Sequence, residues 1–123
     1  MRLKSRILIV DDAAFMRTKI RLILEKAGYE VVGEAENGAE GVAQYKRLMP
    51  DLVTLDITMP VMGGIDALRE IRKIDENAKV LMVSAMGQED FVREAVLAGA
   101  KTFIVKPFSD EKLIATVQKI LSK

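Results

Sequence analysis

Three acids, a serine and a lysine are the residues of this 123-residue chain whose types and spacing could do chemistry together. Asp11 and Asp12 stand side by side in "ILIVDDAA", directly after a run of β-favouring apolar residues. Asp56 closes "DLVTLD", Ser84 closes "VLMVS", and Lys106 closes "TFIVK" ahead of Pro107. Adjacent carboxylates repel each other and resist leaving water, so such a pair at the end of a buried strand must lie in solvent or be compensated. Singly, each residue has an ordinary reading: Asp12 a helix cap, Asp56 a loop acid, Ser84 a turn former, Lys106 a solvated lysine. Jointly they make an acidic pocket with one cation, provided that the strands they terminate are neighbours. Clustered carboxylates raise one another's pKa and weaken folding at neutral pH. A hard divalent cation relieves that repulsion, and Mg²⁺ suits a site with few carboxylates, where waters and phosphate oxygens fill the other positions. The pocket therefore reads as a Mg²⁺ and phosphoryl site. Phosphoryl transfer asks mainly for positioning and charge neutralisation. Asp56 is the expected nucleophile, giving an acyl phosphate. Lys106 pairs with the phosphoryl oxygens as a point charge, and Ser84 donates a hydrogen bond to one of them.

The elements that must position these groups are legible as five apolar runs: residues 6–10, 31–35, 52–55, 79–83 and 102–105. Amphipathic stretches separate them. Met16, Ile20, Ile23, Leu24 and Ala27 recur at helical spacing, with Gly28 placed to end the helix. A second helix over about 38–48 rests on Ala39, Val42 and Ala43; Leu68, Ile71 and Ile74 mark a third, and Val92, Ala95 and Val96 a fourth. The last carries Leu113, Val117, Ile120 and Leu121, with Ser109 as its N-cap and Asp110 and Glu111 in its first turn. Strand and helix alternating at this spacing predict an α/β domain: a single doubly wound, flavodoxin-like sheet of five parallel strands with helices on both faces. Right-handed crossovers favour the order 2-1-3-4-5, with the mixed "VVGEA" run at an edge. In such a sheet ligands bind outside the carboxyl ends of the strands, where the five chemical residues fall.

Composition narrows the function classes. Nineteen basic residues against eighteen acidic ones give no field favouring nucleic acid. Histidine is absent, which excludes any mechanism that needs the protein's own imidazole. There is no cysteine, no secretory pattern and no run of the roughly 18–20 apolar residues that a membrane span needs, so a cytoplasmic domain with no membrane contact is expected.

The "DD" after the first strand, "DITMPVMGG" after the third, "SA" after the fourth and "KPF" after the fifth resemble the response-regulator receiver domain, from about residue 5 to the end of the chain. "ILIVDDAAFMR", "SAMGQ" and "AGAKTFIVKPF" resemble in particular its single-domain chemotaxis members. The resemblance implies one receiver domain over 1–123 with no output domain. It implies a switch with only self-phosphorylation and self-dephosphorylation in place of a true enzyme. Asp56 would accept a phosphoryl group from a kinase phosphohistidine, and Asp11, Asp12, Asp56 and the Thr58 carbonyl would hold Mg²⁺. Ser84, Phe103, Lys106 and Pro107 would form the switch, Lys106–Pro107 being a cis peptide. Phe103 would turn inward and the surface of helix 4, strand 5 and helix 5 would change. Without the resemblance, Phe103 reads equally well as plain core, Met59, Met62, Met82 and Met86 as packing or loop residues, and Arg93, Lys112 and Lys119 as a solvated face.

The implied partners are a histidine kinase (the chemotaxis kinase CheA), the flagellar motor switch protein and a phosphatase, met by a monomer. The runner-up role is a phosphorelay shuttle between a kinase and a histidine phosphotransferase. Three departures stand out. Phe103 lacks the hydroxyl of the tyrosine in many relatives. Thr58 and Met86 replace an amide and an acid, so neither serves as a base and slow self-hydrolysis is expected. Gly63 replaces an acid or amide, which alters the mobility expected of its loop. A Mg²⁺-dependent phosphohydrolase with an aspartyl nucleophile would carry "DxDx[TV]" after strand 1 and an inserted cap. A flavodoxin-type electron carrier would carry a Ser/Thr-rich phosphate loop there. This chain has neither.

Overall fold

The structure, a computed structural model, describes residues 4–122. Strands and helices alternate as β1 (Arg6–Val10), α1 (Ala14–Lys26), β2 (Glu30–Ala35), α2 (Gly38–Leu48), β3 (Leu52–Asp56), α3 (Gly64–Ile74), β4 (Val80–Ala85), α4 (Glu89–Leu97), β5 (Thr102–Lys106) and α5 (Asp110–Leu121). All neighbouring strands are parallel, in the order β2-β1-β3-β4-β5 expected from right-handed crossovers.

Side chains alternate across a strand, so each buried strand feeds two cores. Leu8 and Val10 of β1, Val53 and Leu55 of β3, and Val80 and Met82 of β4 pack with Leu68 and Ile71 of α3 and Tyr45 of α2 on one face. Ile7 and Ile9, Leu52, and Leu81 and Val83 pack on the other with Ile20 and Leu24 of α1 and Leu113 and Val117 of α5. Both cores are needed because β1, β3 and β4 are covered on both sides, which is why their sequences are nearly continuous apolar runs. Helix ends follow local chemistry. The Asn37 side chain accepts from Glu40 N–H at 2.8 Å and Ser109 Oγ from Lys112 N–H at 3.0 Å, each closing an otherwise unpaired donor. Gly28, at φ +97°, takes the left-handed position just past α1.

Several expectations need correction. β2 opens at Glu30, one residue early, and β4 spans Val80–Ala85, so Ser84 lies inside the strand. The fourth helix buries only Ala95; Val96, expected on its apolar face, is 47 % exposed, beside exposed Phe91 and Leu97. β5 buries only Ile104. It is an edge strand, paired among the described residues with β4 alone, and Phe103, on its less covered face, is exposed and not plain core. The methionines divide: Met59 and Met82 are core, while Met86 lies in solvent. Arg93, Lys112 and Lys119 are exposed, as a solvated face requires. No helix among the described residues is long and apolar enough to cross a membrane.

Candidate functional site

The strand order decides which carboxylates meet. β1 and β3 run side by side in register, Val10 opposite Leu55, so the next residues, Asp11 and Asp56, emerge together. Asp11 is held from three sides: its N–H donates to Ala35 O at 3.0 Å, its Oδ1 accepts from Ala13 N–H at 2.9 Å, and its carbonyl accepts from Arg17 Nη1 at 2.7 Å. Arg17 is in turn ion-paired with Glu34 at 3.3 Å, which also takes Arg21 at 2.6 Å. Asp12 is exposed and caps nothing; the α1 N-cap is Ala13, with no side-chain capping bond. Oxygens of Asp11, Asp12 and Asp56 nonetheless lie within 4.8 Å of one another. An all-carboxylate set, two members buried and one open to water, fits a hard divalent cation that keeps water ligands.

The start of α3 packs directly on the backbone of Asp56. A Cβ on Gly64 would fall 2.0 Å from the Asp56 carbonyl oxygen, and Gly64 N–H donates to Ile57 O at 2.7 Å. Glycine is required there by contact, since no neighbouring side chain could yield. Gly63 is the α3 N-cap, in extended backbone. The intervening loop holds a γ-turn: Met62 N–H donates to Pro60 O at 2.7 Å, with Val61 between them at φ +67°.

Lys106, at the end of β5, reaches across to the acids. Its Nζ lies 3.0 Å from Asp11 Oδ2 and 3.5 Å from Asp56 Oδ2. The peptide that follows it, Lys106–Pro107, is cis. Burial pushes the Asp56 carboxyl up from 3.8 to about 6; Asp11 pushes the same way, Lys106 pulls against both, and Asp12 adds to the rise. Ser84 is fully buried and its Oγ has no hydrogen-bond partner among the described residues. Such an orphan hydroxyl costs about 1–3 kcal/mol, so it favours arrival of an acceptor.

Thr58 is exposed at the mouth of the site, its Oγ1 accepting from Gln88 Nε2 at 2.7 Å. Met86 is 77 % exposed and Phe103 is 40 % exposed. Both line an apolar groove of about 650 Å³ whose lining also includes Ser84, Val92, Val96 and Leu97. Phe103 thus stands outward beside a space that reaches the serine. The fold brings Asp11, Asp12, Asp56 and Lys106 into one cluster; among the described residues, Ser84, Thr58, Met86, Phe103 and Pro107 make no hydrogen bond or ion pair to Asp56. Sequence reasoning missed Arg17, which fixes the Asp11 carbonyl, and Gln88, which bridges two loops. Neither carries a local signal, because each acts on a residue of another element.

The response regulator receiver domain family model matches residues 7–118. The chain is 60 % identical over 116 residues to the chemotaxis protein CheY of Thermotoga maritima, covering 94 % of this chain and 97 % of that protein. It is 59 % identical over 117 residues to CheY of Bacillus subtilis, covering 95 % and 98 %. Among solved structures, the CheX–CheY–BeF₃–Mg²⁺ complex from Borrelia burgdorferi is similar at a TM-score of 0.92 and 41 % identity, over 97 % of this chain and 90 % of that one.

Proposed function

Because this chain belongs to the response regulator receiver family, and is thereby a receiver domain of a two-component system, we propose that Asp56 is its phosphoacceptor. The observation that carries this reading is a buried carboxylate with a lysine ammonium 3.5 Å away and two further acids beside it. With its pKa at about 6, Asp56 is mostly ionised at neutral pH and able to attack. One of its oxygens forms the new O–P bond as the P–N bond to a kinase phosphohistidine breaks; the departing imidazole keeps the electron pair and takes a proton from solvent. The phosphohistidine lies outside this chain, which has no histidine. Lys106 Nζ balances charge on the phosphoryl oxygens, and the unpartnered Ser84 hydroxyl turns to donate to one of them. Asp11, Asp12 and Asp56, with the Thr58 carbonyl, are the groups that would hold Mg²⁺, which supplies charge neutralisation during transfer.

The output is a protein contact on this same domain. Movement of Ser84 alters the lining of the groove that it shares with Phe103, and inward rotation of that ring changes the α4–β5–α5 surface. Resemblance to chemotaxis relatives favours a chemotaxis kinase upstream and the flagellar motor switch downstream. Thr58 and Met86 offer no base, so self-hydrolysis is slow and a separate protein ends the signal; the Borrelia relative is solved bound to CheX. Met86→Glu, which adds a base, then accelerates loss of the phosphoryl group by up to about a hundredfold, the lower end of general-base effects, and Thr58→Asn, whose amide can only orient water, accelerates it less. An unchanged lifetime in both variants would refute that assignment.

The primary test is intact mass after incubation with acetyl phosphate, with and without Mg²⁺, for wild type and Asp56→Asn. One added phosphoryl group, dependent on Mg²⁺ and absent in the variant, is the expected result. An adduct that survives in Asp56→Asn would move the acceptor elsewhere.

A further inference from the structure

Gln88 is the residue before α4, a position whose side chain commonly caps its own helix, yet it makes no capping bond. Instead its Oε1 accepts from Ala85 N–H at 2.6 Å while its Nε2 donates to Thr58 Oγ1 at 2.7 Å. One side chain therefore ties the turn after β4 to the turn after β3, across the mouth of the site. Which way Ala85 N–H points follows from the ladder. Val83 O accepts from Ile57 N–H, so the backbone groups of Val83 face β3. Along a parallel strand successive residues turn these groups to opposite neighbours, so those of Ser84 face β5 and those of Ala85 face the β3 side again. Ala85 N–H is thus the first donor beyond the last β3–β4 rung on the side of Asp56, and Gln88 occupies it. Directly before it stands Ser84, whose buried hydroxyl has no partner among the described residues.

We propose that Gln88 is a positioning residue that clasps the β4–α4 turn to Thr58 in the unphosphorylated protein, withholding Ala85 N–H until a phosphoryl group on Asp56 competes for it. The inference rests on the phosphoacceptor reading of Asp56 and adds a gate to it. Opening the clasp frees two adjacent donors, Ser84 Oγ–H and Ala85 N–H, to the same incoming group, and it releases the N-terminus of α4. The clasp thus opposes phosphorylation and couples it to the groove wall.

The test is the rate of labelling by acetyl phosphate with Mg²⁺, read by intact mass, in wild type, Gln88→Leu, Thr58→Val and the double variant. Gln88→Leu keeps the bulk and loses both bonds, so labelling quickens about fivefold, the equivalent of one ordinary hydrogen bond. Thr58→Val quickens it too, and the double variant is no faster than the faster single one. Simple damage to the fold would slow labelling, so acceleration with this non-additivity is diagnostic. In wild type, the Gln88 side-chain amide protons, followed by NMR, are protected at rest and lose protection when beryllofluoride is added as a phosphoryl mimic. That measurement stands even if a variant fails to fold. Equal or slower labelling of both variants, additive acceleration, or amide protons indifferent to beryllofluoride would overturn the clasp while leaving Asp56 as acceptor. Wild type that takes no phosphoryl group would overturn the acceptor reading and the clasp with it.

Discussion

Asp56→Asn is expected to stabilise the metal-free protein, and to do so only as pH rises. The carboxyl titrates at 3.8 in an ordinary setting and at about 6 in the fold, raised first by burial and then by Asp11. Below about pH 3.8 the acid is protonated in folded and unfolded chains alike, and nothing is lost. Between 3.8 and 6 the unfolded chain releases its proton while the fold retains it, so stability falls with rising pH. Above 6 both states are ionised and the full cost is in place, about 3 kcal/mol at 1.36 kcal/mol per pH unit. That figure already includes the attraction of Lys106, which works against the rise. Asparagine keeps the shape and cannot ionise. Urea denaturation in a chelator is the assay. With a slope of about 1–3 kcal/mol per molar, the variant's midpoint at pH 8 lies about 1–3 M above wild type. At pH 4 the difference in free energy shrinks to about 0.5 kcal/mol. Equal stabilities at pH 8, or a difference that does not grow with pH, would refute the claim that this carboxylate is buried at a cost. Mg²⁺ is then expected to raise the wild-type midpoint more than that of the variant, because it binds the folded acids.

Three further perturbations follow from particular contacts. Lys106→Met leaves Asp11 and Asp56 without their shared cation and destabilises the metal-free protein by about 2–3 kcal/mol at pH 7, below the usual figure for a fully buried pair because the ammonium keeps 23 % exposure; a urea midpoint within error of wild type would contradict this. Thr54→Val replaces a buried hydroxyl that has no partner among the described residues by a methyl of the same shape, and calorimetry is expected to show a gain of about 1 kcal/mol. Val61→Gly removes a β-branched side chain from the left-handed centre of the γ-turn; the side chain is 84 % exposed, so little packing is lost and stability rises by up to about 1 kcal/mol, while a loss would mean that the turn is not strained.

The sequence by itself determined the frame. Apolar runs too continuous for a half-exposed sheet required strands covered on both faces, and the handedness of crossovers then placed β1 beside β3, bringing Asp11 and Asp56 together. Ser109 was legible as a cap because its partner, Lys112 N–H, is three residues away. Such readings succeed because the cause lies within one element or in a rule of chain geometry. Tertiary structure alone decided the rest. That Arg17 holds the Asp11 carbonyl, and that Gln88 reaches Thr58 thirty residues back, depends on where whole elements come to rest. The exposure of Val96 and the outward stance of Phe103 were hidden for the same reason. An apolar residue at helical or strand spacing is buried only if another element covers its face, and α4 meets the sheet through Ala95, leaving Val96 and Phe103 on the walls of an open groove.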